Sequence, residues 1–169
     1  TPLYTYDDVD RRATVPHAPD ATNPNGRKVT YGHDGAGNRK TEVVTDPQTE
    51  AVLESKTGHF DNANRLTDLT DNLDATQTTT LGWDRNGNLL SETKAGVTTN
   101  YGYDLRDTLA EVERGGQPLA RFLGDFDERR VLKIGDPTRP GGSGVQEYVY
   151  NGSRLILDVE NGQPVSRYE

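Results

Sequence analysis

A ring followed at once by Asp or Asn recurs along this 169-residue chain: Tyr6-Asp7, His33-Asp34, Phe60-Asp61, Trp83-Asp84, Tyr103-Asp104, Phe126-Asp127 and Tyr150-Asn151. Successive pairs lie 27, 27, 23, 20, 23 and 24 residues apart. A recurrence of roughly 20–30 residues marks a repeat architecture, in which each unit is one supersecondary element that cannot bury its own face and must lean on its neighbours.

The third residue after each acid narrows the type of element. It is Asp10, Gly37, Asn64, Gly87 and Asp107 in the first five units, all residue types that enter the left-handed region at low cost. A two-residue primed turn selects such residues, so the pattern predicts tight hairpins. The last two units carry Arg130 and Arg154 there; in the seventh, Asn151-Gly152 supplies the turn earlier, with a displaced register. Flanking segments alternate with a period of two. In "TTTLGWD" Leu81 and Trp83 share one face, and after the turn Leu89, Ser91 and Thr93 oppose Leu90, Glu92 and Lys94.

Seven hairpins predict about 14 strands, which laid side by side would span on the order of 65 Å. Open sheets of more than about 10 strands curl, so a curved wall with exposed hydrogen-bonding edges is expected, able to self-associate through them. The expected class is all-β: antiparallel hairpins in one repeat region over residues 1–169, a fragment of a larger chain. Residues 15–26 ("VPHAPDATNPNG") and 135–144 ("GDPTRPGGSG") read as irregular loops, and residues 51–56 as the one place for a short helical turn.

Burial is thin. Leu, Ile, Val and Phe make up about a fifth of the chain, near the border below which charged chains stay disordered, yet the aromatic residues are spread evenly, which argues for order. A net charge of −8 and a pI near 4.9 argue against nucleic acid as a partner, which needs a basic face. No apolar run approaches the roughly 20 residues of a membrane-spanning helix, and "TPLYTYDDVDRR" has no signal-peptide character. Without cysteine there is no disulfide, thiolate metal site or thiol nucleophile.

Candidate chemical sites each meet a structural explanation. His33 occupies a ring position of the repeat, His59 precedes one, and His17 lies in a Pro-rich loop, so none is nominated as catalytic. The "DRNGN" turn offers oxygen ligands for calcium. An EF-hand loop starting at Asp84, however, needs Gly sixth and an acid twelfth, where Leu89 and Ala95 stand. No metal or cofactor is expected. The repeated rings are read as a cross-hairpin ladder that supplies burial, and each Asp as a turn cap. A general acid would need a second carboxylate in one cleft.

"YTYDDVDRR", "YGHDGAGNRKTE", "GHFDNANRLTDLTD", "LGWDRNGNLLSET", "YGYDLRDTLAEV" and "YVYNGSRLILDVENG" resemble the YD repeats of the rearrangement-hotspot (Rhs) family, roughly Y-D-x-x-G-R/N-L with a later Gly. The likeness covers nearly the whole chain, and the last stretch is similar to the segment just ahead of the family's core region. His33 and Trp83 depart from Tyr, and Asn151 from Asp. The resemblance implies a non-enzymatic wall segment of a hollow β-shell, as in Rhs toxins, insecticidal toxin complexes and teneurins. Its implied partners are the rest of the parent shell and an enclosed C-terminal toxic domain, delivered by secretion or from the cell surface. An extracellular carbohydrate- or surface-binding module using the ring row is the alternative from another class.

Overall fold

A computed structural model describes residues 4–135 and 144–168. Fifteen strands follow one another: β1 (Thr5–Tyr6), β2 (Arg12–His17), β3 (Arg27–His33), β4 (Arg39–Thr45), β5 (Val52–Phe60), β6 (Leu66–Asp71), β7 (Thr79–Trp83), β8 (Leu89–Lys94), β9 (Val97–Tyr103), β10 (Leu109–Arg114), β11 (Gln117–Gly124), β12 (Arg130–Gly135), β13 (Val145–Asn151), β14 (Arg154–Glu160) and β15 (Gln163–Arg167). Their order in the sheet is their order in the sequence, each strand beside the next. Among the described residues the chain is all-β apart from a single 3-10 turn, Ala75–Gln77, capped by the Asp74 side chain on the Thr76 N–H. Among the described residues no helix is long and apolar enough to cross a membrane.

The strands fall into two compact units, Thr1–Leu81 with Lys94–Gly96, and Gly82–Thr93 with Val97–Glu169. In the first, Val15 of β2 stands opposite Val29 of β3, which stands opposite Val44 of β4. These three side chains are 7%, 7% and 5% exposed and form the core, with Tyr31 packed against them. A row of β-branched residues on one pleated face is how a sheet with few aliphatics obtains a dry stripe. In the second unit the hairpins β9–β10, β10–β11 and β13–β14 pair in antiparallel register, with half-buried apolar residues such as Tyr101 and Val112 opposite each other.

Several local expectations are corrected. The first irregular loop begins at residue 18, because β2 extends through Val15, Pro16 and His17. Pro16 is tolerated there because β1, among the described residues, pairs only with Thr14 and Arg12 and asks no N–H of it. Residues 52–56 are strand, not helix: Val44 and Val43 of β4 hold Glu54 and Ser55 in register, and cross-strand pairing overrides the local helix propensity of Glu, Ala and Leu. Of the second expected loop, residues 136–143 lie outside the described residues, and Gly135 closes on Gly144 through a 2.7 Å backbone bond.

Candidate functional site

The repeated acids build one device over and over. Asp34 shows it fully: its N–H donates to the Asn38 carbonyl at 3.0 Å, and the Gly37 N–H donates back to the Asp34 carbonyl at 3.1 Å. Gly37 has φ of 92°, while the two residues before it keep negative φ. This is a type I turn closed by a left-handed residue, a three-residue loop with a bulge, and not the two-residue primed turn expected from residue types. Asp7, Asp61, Asp84 and Asp104 form the same loop, with Asp10, Asn64, Gly87 and Asp107 at φ of 60°, 58°, 96° and 59°.

The carboxylate explains why Asp starts each loop. Asp34 Oδ1 accepts the N–H groups of Ala36 and Asn38, both at 2.9 Å, while Oδ2 accepts the Asn38 side-chain amide at 3.0 Å. In the Asp7 and Asp61 loops a guanidinium replaces that amide, with Arg11 Nε and Arg65 Nε at 2.7 and 2.8 Å from Oδ2. Asn88 serves Asp84 at 2.9 Å. Asp104 has Thr108 at that place, and its Oδ1 accepts the N–H groups of Arg106 and Thr108.

The sixth hairpin corrects the reading of Phe126-Asp127. Its loop acid is Asp125, preceded by Gly124 where the other units have a ring: Asp125 Oδ1 accepts the N–H groups of Asp127 and Arg129, and Oδ2 accepts Arg129 Nε at 2.7 Å. Glu128, not Arg130, is left-handed, at φ of 62°. Phe126 therefore sits on the loop tip and is 93% exposed. In the seventh hairpin Asn151 faces Arg154 across a two-residue loop, and Gly152 has φ of 58°, the conformation of a primed turn with Gly first.

Side chains from one loop also reach the next. Arg11 Nη1 donates to the Asp34 carbonyl at 3.0 Å, and Asn38 Nδ2 to Asn64 Oδ1 at 3.2 Å. In the second unit Asn86 and Asn88 both donate to Asp107, Arg106 donates to the Phe126 carbonyl at 3.1 Å, and Arg129 donates to the Gly152 carbonyl. The position four after the acid thus does two jobs in several units, clamping its own loop and bracing its neighbour.

The rings lie beneath this row. His33, Phe60, Trp83, Tyr103 and Tyr150 are half-buried, whereas Tyr6 on the short β1 is exposed. The Tyr103 hydroxyl donates to the Leu89 carbonyl at 3.1 Å and the Tyr150 hydroxyl to the Arg130 carbonyl at 3.0 Å, each carbonyl being five residues after the loop acid of the preceding hairpin. A second ring, three residues before the acid, takes a guanidinium from five residues after it: Arg12 on Tyr4, Arg39 on Tyr31 and Arg130 on Phe122, at 5.2, 4.2 and 4.3 Å from the ring centroids. Ring burial is therefore obtained partly from arginine stems and cation–π contact, where sequence reasoning expected rings on rings. Gly58 occupies this second-ring position in the third hairpin, beside a hollow of about 480 Å³ lined by Phe60, Leu66, Leu69 and Lys56.

Electrostatically the loop acids are fixed as anions. Hydrogen bonds from Arg65 backbone and side chain hold Asp61 below the usual carboxylate range. The Asn38 amide does so first for Asp34, the Arg129 guanidinium for Asp125, and the Arg106 and Thr108 N–H groups for Asp104. For Asp7 and Asp84 the largest single influence is lost hydration, which pushes upward, but the hydrogen bonds to Arg11 and Val9, and to Asn88 and Asn86, together outweigh it. Carboxylates held this way are poor proton donors near neutrality and good structural anchors. Among the described residues no three His, Asp or Glu side chains gather as a metal-binding group.

Residues 20–51, which hold β3, the Asp34 loop and β4, match the family model described as RHS Repeat. The chain carries an RHS repeat. Its RHS sequence is 30% identical over 142 residues to the tRNA3(Ser)-specific nuclease WapA of Bacillus spizizenii and 29% identical over 142 residues to the tRNA nuclease WapA of Bacillus subtilis. Each match covers 82% of this chain and 5% of the relative, so the chain spans about one twentieth of the length of these proteins. In fold it is similar to a chain of the Tc holotoxin pore of Photorhabdus luminescens, with a TM-score of 0.54 at 12% identity, covering 95% of this chain and 12% of that one. A TcdB2-TccC3-TEV crystal structure gives 0.52 at 10% identity, covering 92% and 11%.

Proposed function

We propose that this RHS array is a non-catalytic stretch of wall in a toxin shell, and that the parent chain uses such a wall to enclose a C-terminal toxic domain until delivery outside the producing cell. The observation that carries this reading is the strand order, fifteen strands among the described residues each beside its sequence neighbour, with the acid-led loops within each unit laced to one another by side chains. A meander of that kind extends by adding hairpins and needs no layer behind it, which suits a barrier. The similarity to chains of toxin assemblies supports the same reading. Polar, charged loops and a thin core would let the wall face a cargo without binding it through large apolar patches.

The function lies in exclusion. Each strand-to-strand ladder removes a gap through which a protease or partner could reach the interior, and the loop acids keep the ladder ends in register. The test uses the parent protein with its C-terminal domain in place. Under limited proteolysis that domain should survive in the intact parent and be degraded when residues 84–129 are deleted. Equal cleavage in both proteins would overturn the proposal. Saturable binding on a glycan array, abolished by Trp83→Ala, would instead favour the recognition module.

A further inference from the structure

We infer that Asn151 is a deamidation site built into the seventh hairpin, and that the fold protects the chain's other Asn-Gly pairs from the same reaction. Asn followed by Gly occurs at Asn25-Gly26, Asn86-Gly87, Asn151-Gly152 and Asn161-Gly162. Glycine lacks the Cβ that would hinder its own nitrogen, so these four are the positions where cyclisation onto the side-chain amide is sterically easiest.

The reaction is simple in its balance. The Gly nitrogen gives up its proton and attacks the Asn Cγ, a C–N bond forms, and the side-chain nitrogen leaves as ammonia with that proton. Water then opens the five-membered imide at one of its two carbonyls, giving aspartate or isoaspartate. No oxidant or cofactor takes part. What the fold controls is whether the side-chain carbon can swing onto the next nitrogen, and whether that nitrogen is free to lose its proton.

Three of the four pairs are held. Asn25 Nδ2 donates to Asp46 Oδ2 at 2.8 Å, and the Gly26 N–H is engaged with the Asn23 carbonyl at 2.9 Å. Asn86 Nδ2 donates to both oxygens of Asp107, at 3.0 and 3.2 Å, and the Gly87 N–H points at the Asp84 carbonyl. Asn161 Oδ1 accepts the Val145 N–H at 3.0 Å, while its own N–H donates to the Val145 carbonyl at 2.8 Å. Asn151 differs from all three in its side chain, and from Asn25 and Asn86 also in the nitrogen that follows it. It is exposed at the end of β13, its side chain has no hydrogen-bond partner among the described residues, and Gly152 lies in the two-residue loop with its N–H outside the turn bonds.

The product has a structural meaning. Deamidation to aspartate would give the seventh hairpin the ring-acid pair that the first five units carry, one residue from the Gly152 carbonyl that receives Arg129. Isoaspartate would instead lengthen the backbone at the Asn151–Arg154 pair and break its register.

The experiment is incubation of the folded chain at pH 8 and 37 °C, followed by peptide mass spectrometry of the one-dalton gain at each pair, beside a sample unfolded in urea. One restraining hydrogen bond slows a required side-chain motion about fivefold, so Asn151 should react at least that much faster than Asn25, Asn86 and Asn161 in the folded chain. The four should converge in urea. Asp107→Ala, checked for retained strand spectrum, should speed Asn86 selectively. In Asn86→Ala, which removes that site while leaving Asn151 untouched, the Asn151 rate should be unchanged. Equal rates at Asn151 and the three held pairs in the folded chain would overturn the inference, as would an Asn86 rate indifferent to the loss of Asp107 in a folded variant.

Discussion

Asn88 places its side-chain amide 2.9 Å from the carboxylate of Asp107, nineteen residues further on and in the next loop. The same amide clamps Asp84 of its own loop, so one short side chain ties two hairpins together. Since the partner is an anion, the bond is charge-assisted and worth more than a neutral one. Asn88→Ala should cost about 1–2 kcal/mol in urea denaturation. In a double-mutant cycle with Asp107→Gly, which keeps the left-handed backbone available, a coupling of about 0.5–1 kcal/mol is expected. Strict additivity would mean that the brace carries no energy.

The left-handed loop residues predict a pair of opposite signs. Gly87 at φ of 96° should lose about 1 kcal/mol as Ala, because a Cβ is strained in that region. Glu128 at φ of 62° already bears that strain and should gain roughly 0.5–1 kcal/mol as Gly. Thermal unfolding of the two variants against the parent checks both.

Acid should undo the loops together. The unfolded chain titrates its Asp residues near the ordinary value of about 3.9, whereas Asp34, Asp61, Asp104 and Asp125 are held lower when folded. Their contribution is therefore fully present above the unfolded value and is lost as pH falls through the lowered folded values. Urea midpoints should stay level from pH 7 to about 5 and decline below about 4. Asp61→Asn should flatten part of that decline, and an unchanged slope would detach the loops from the acid response.

The valine row offers the largest single loss. Val29 lies between Val15 and Val44 and is 7% exposed. Val29→Ala removes two buried methyl groups from the row that Tyr31 packs against, so a loss of about 2 kcal/mol is expected. Val97→Ala, at an exposed position, should stay within about 0.5 kcal/mol of the parent.

Much of this was legible in the residues, and the rest shows what residue types alone leave open. Asp10, Gly37, Asn64, Gly87 and Asp107 announce a left-handed backbone because few other residues enter it readily. They do not say which turn uses it, since a primed two-residue turn and a type I turn with a bulge select the same side chains. The partner four residues after the acid settles the matter. Arg11, Asn38, Arg65, Asn88 and Arg129 each stand where a carboxylate needs a donor, and that spacing also singles out Asp125 over Asp127. Two-residue primed turns do occur, in the seventh loop and at the opposite hairpin ends, where Ala95-Gly96, Gly115-Gly116 and Asn161-Gly162 have positive φ at both positions. The Arg39–Tyr31 contact was hidden because it joins residues eight apart across a hairpin whose bulge shifts the register.

Within the first unit the two ends of the hairpins obey different rules. At the acid end every loop has three residues, 8–10, 35–37 and 62–64, whereas at the other end the connections run over residues 18–26, 46–51 and 72–78. One margin is standardised and the other is free in length. A foreign epitope grafted between Gln48 and Thr49 would thus ride on the free margin, so this ribbon can be decorated along one border without being retuned along the other.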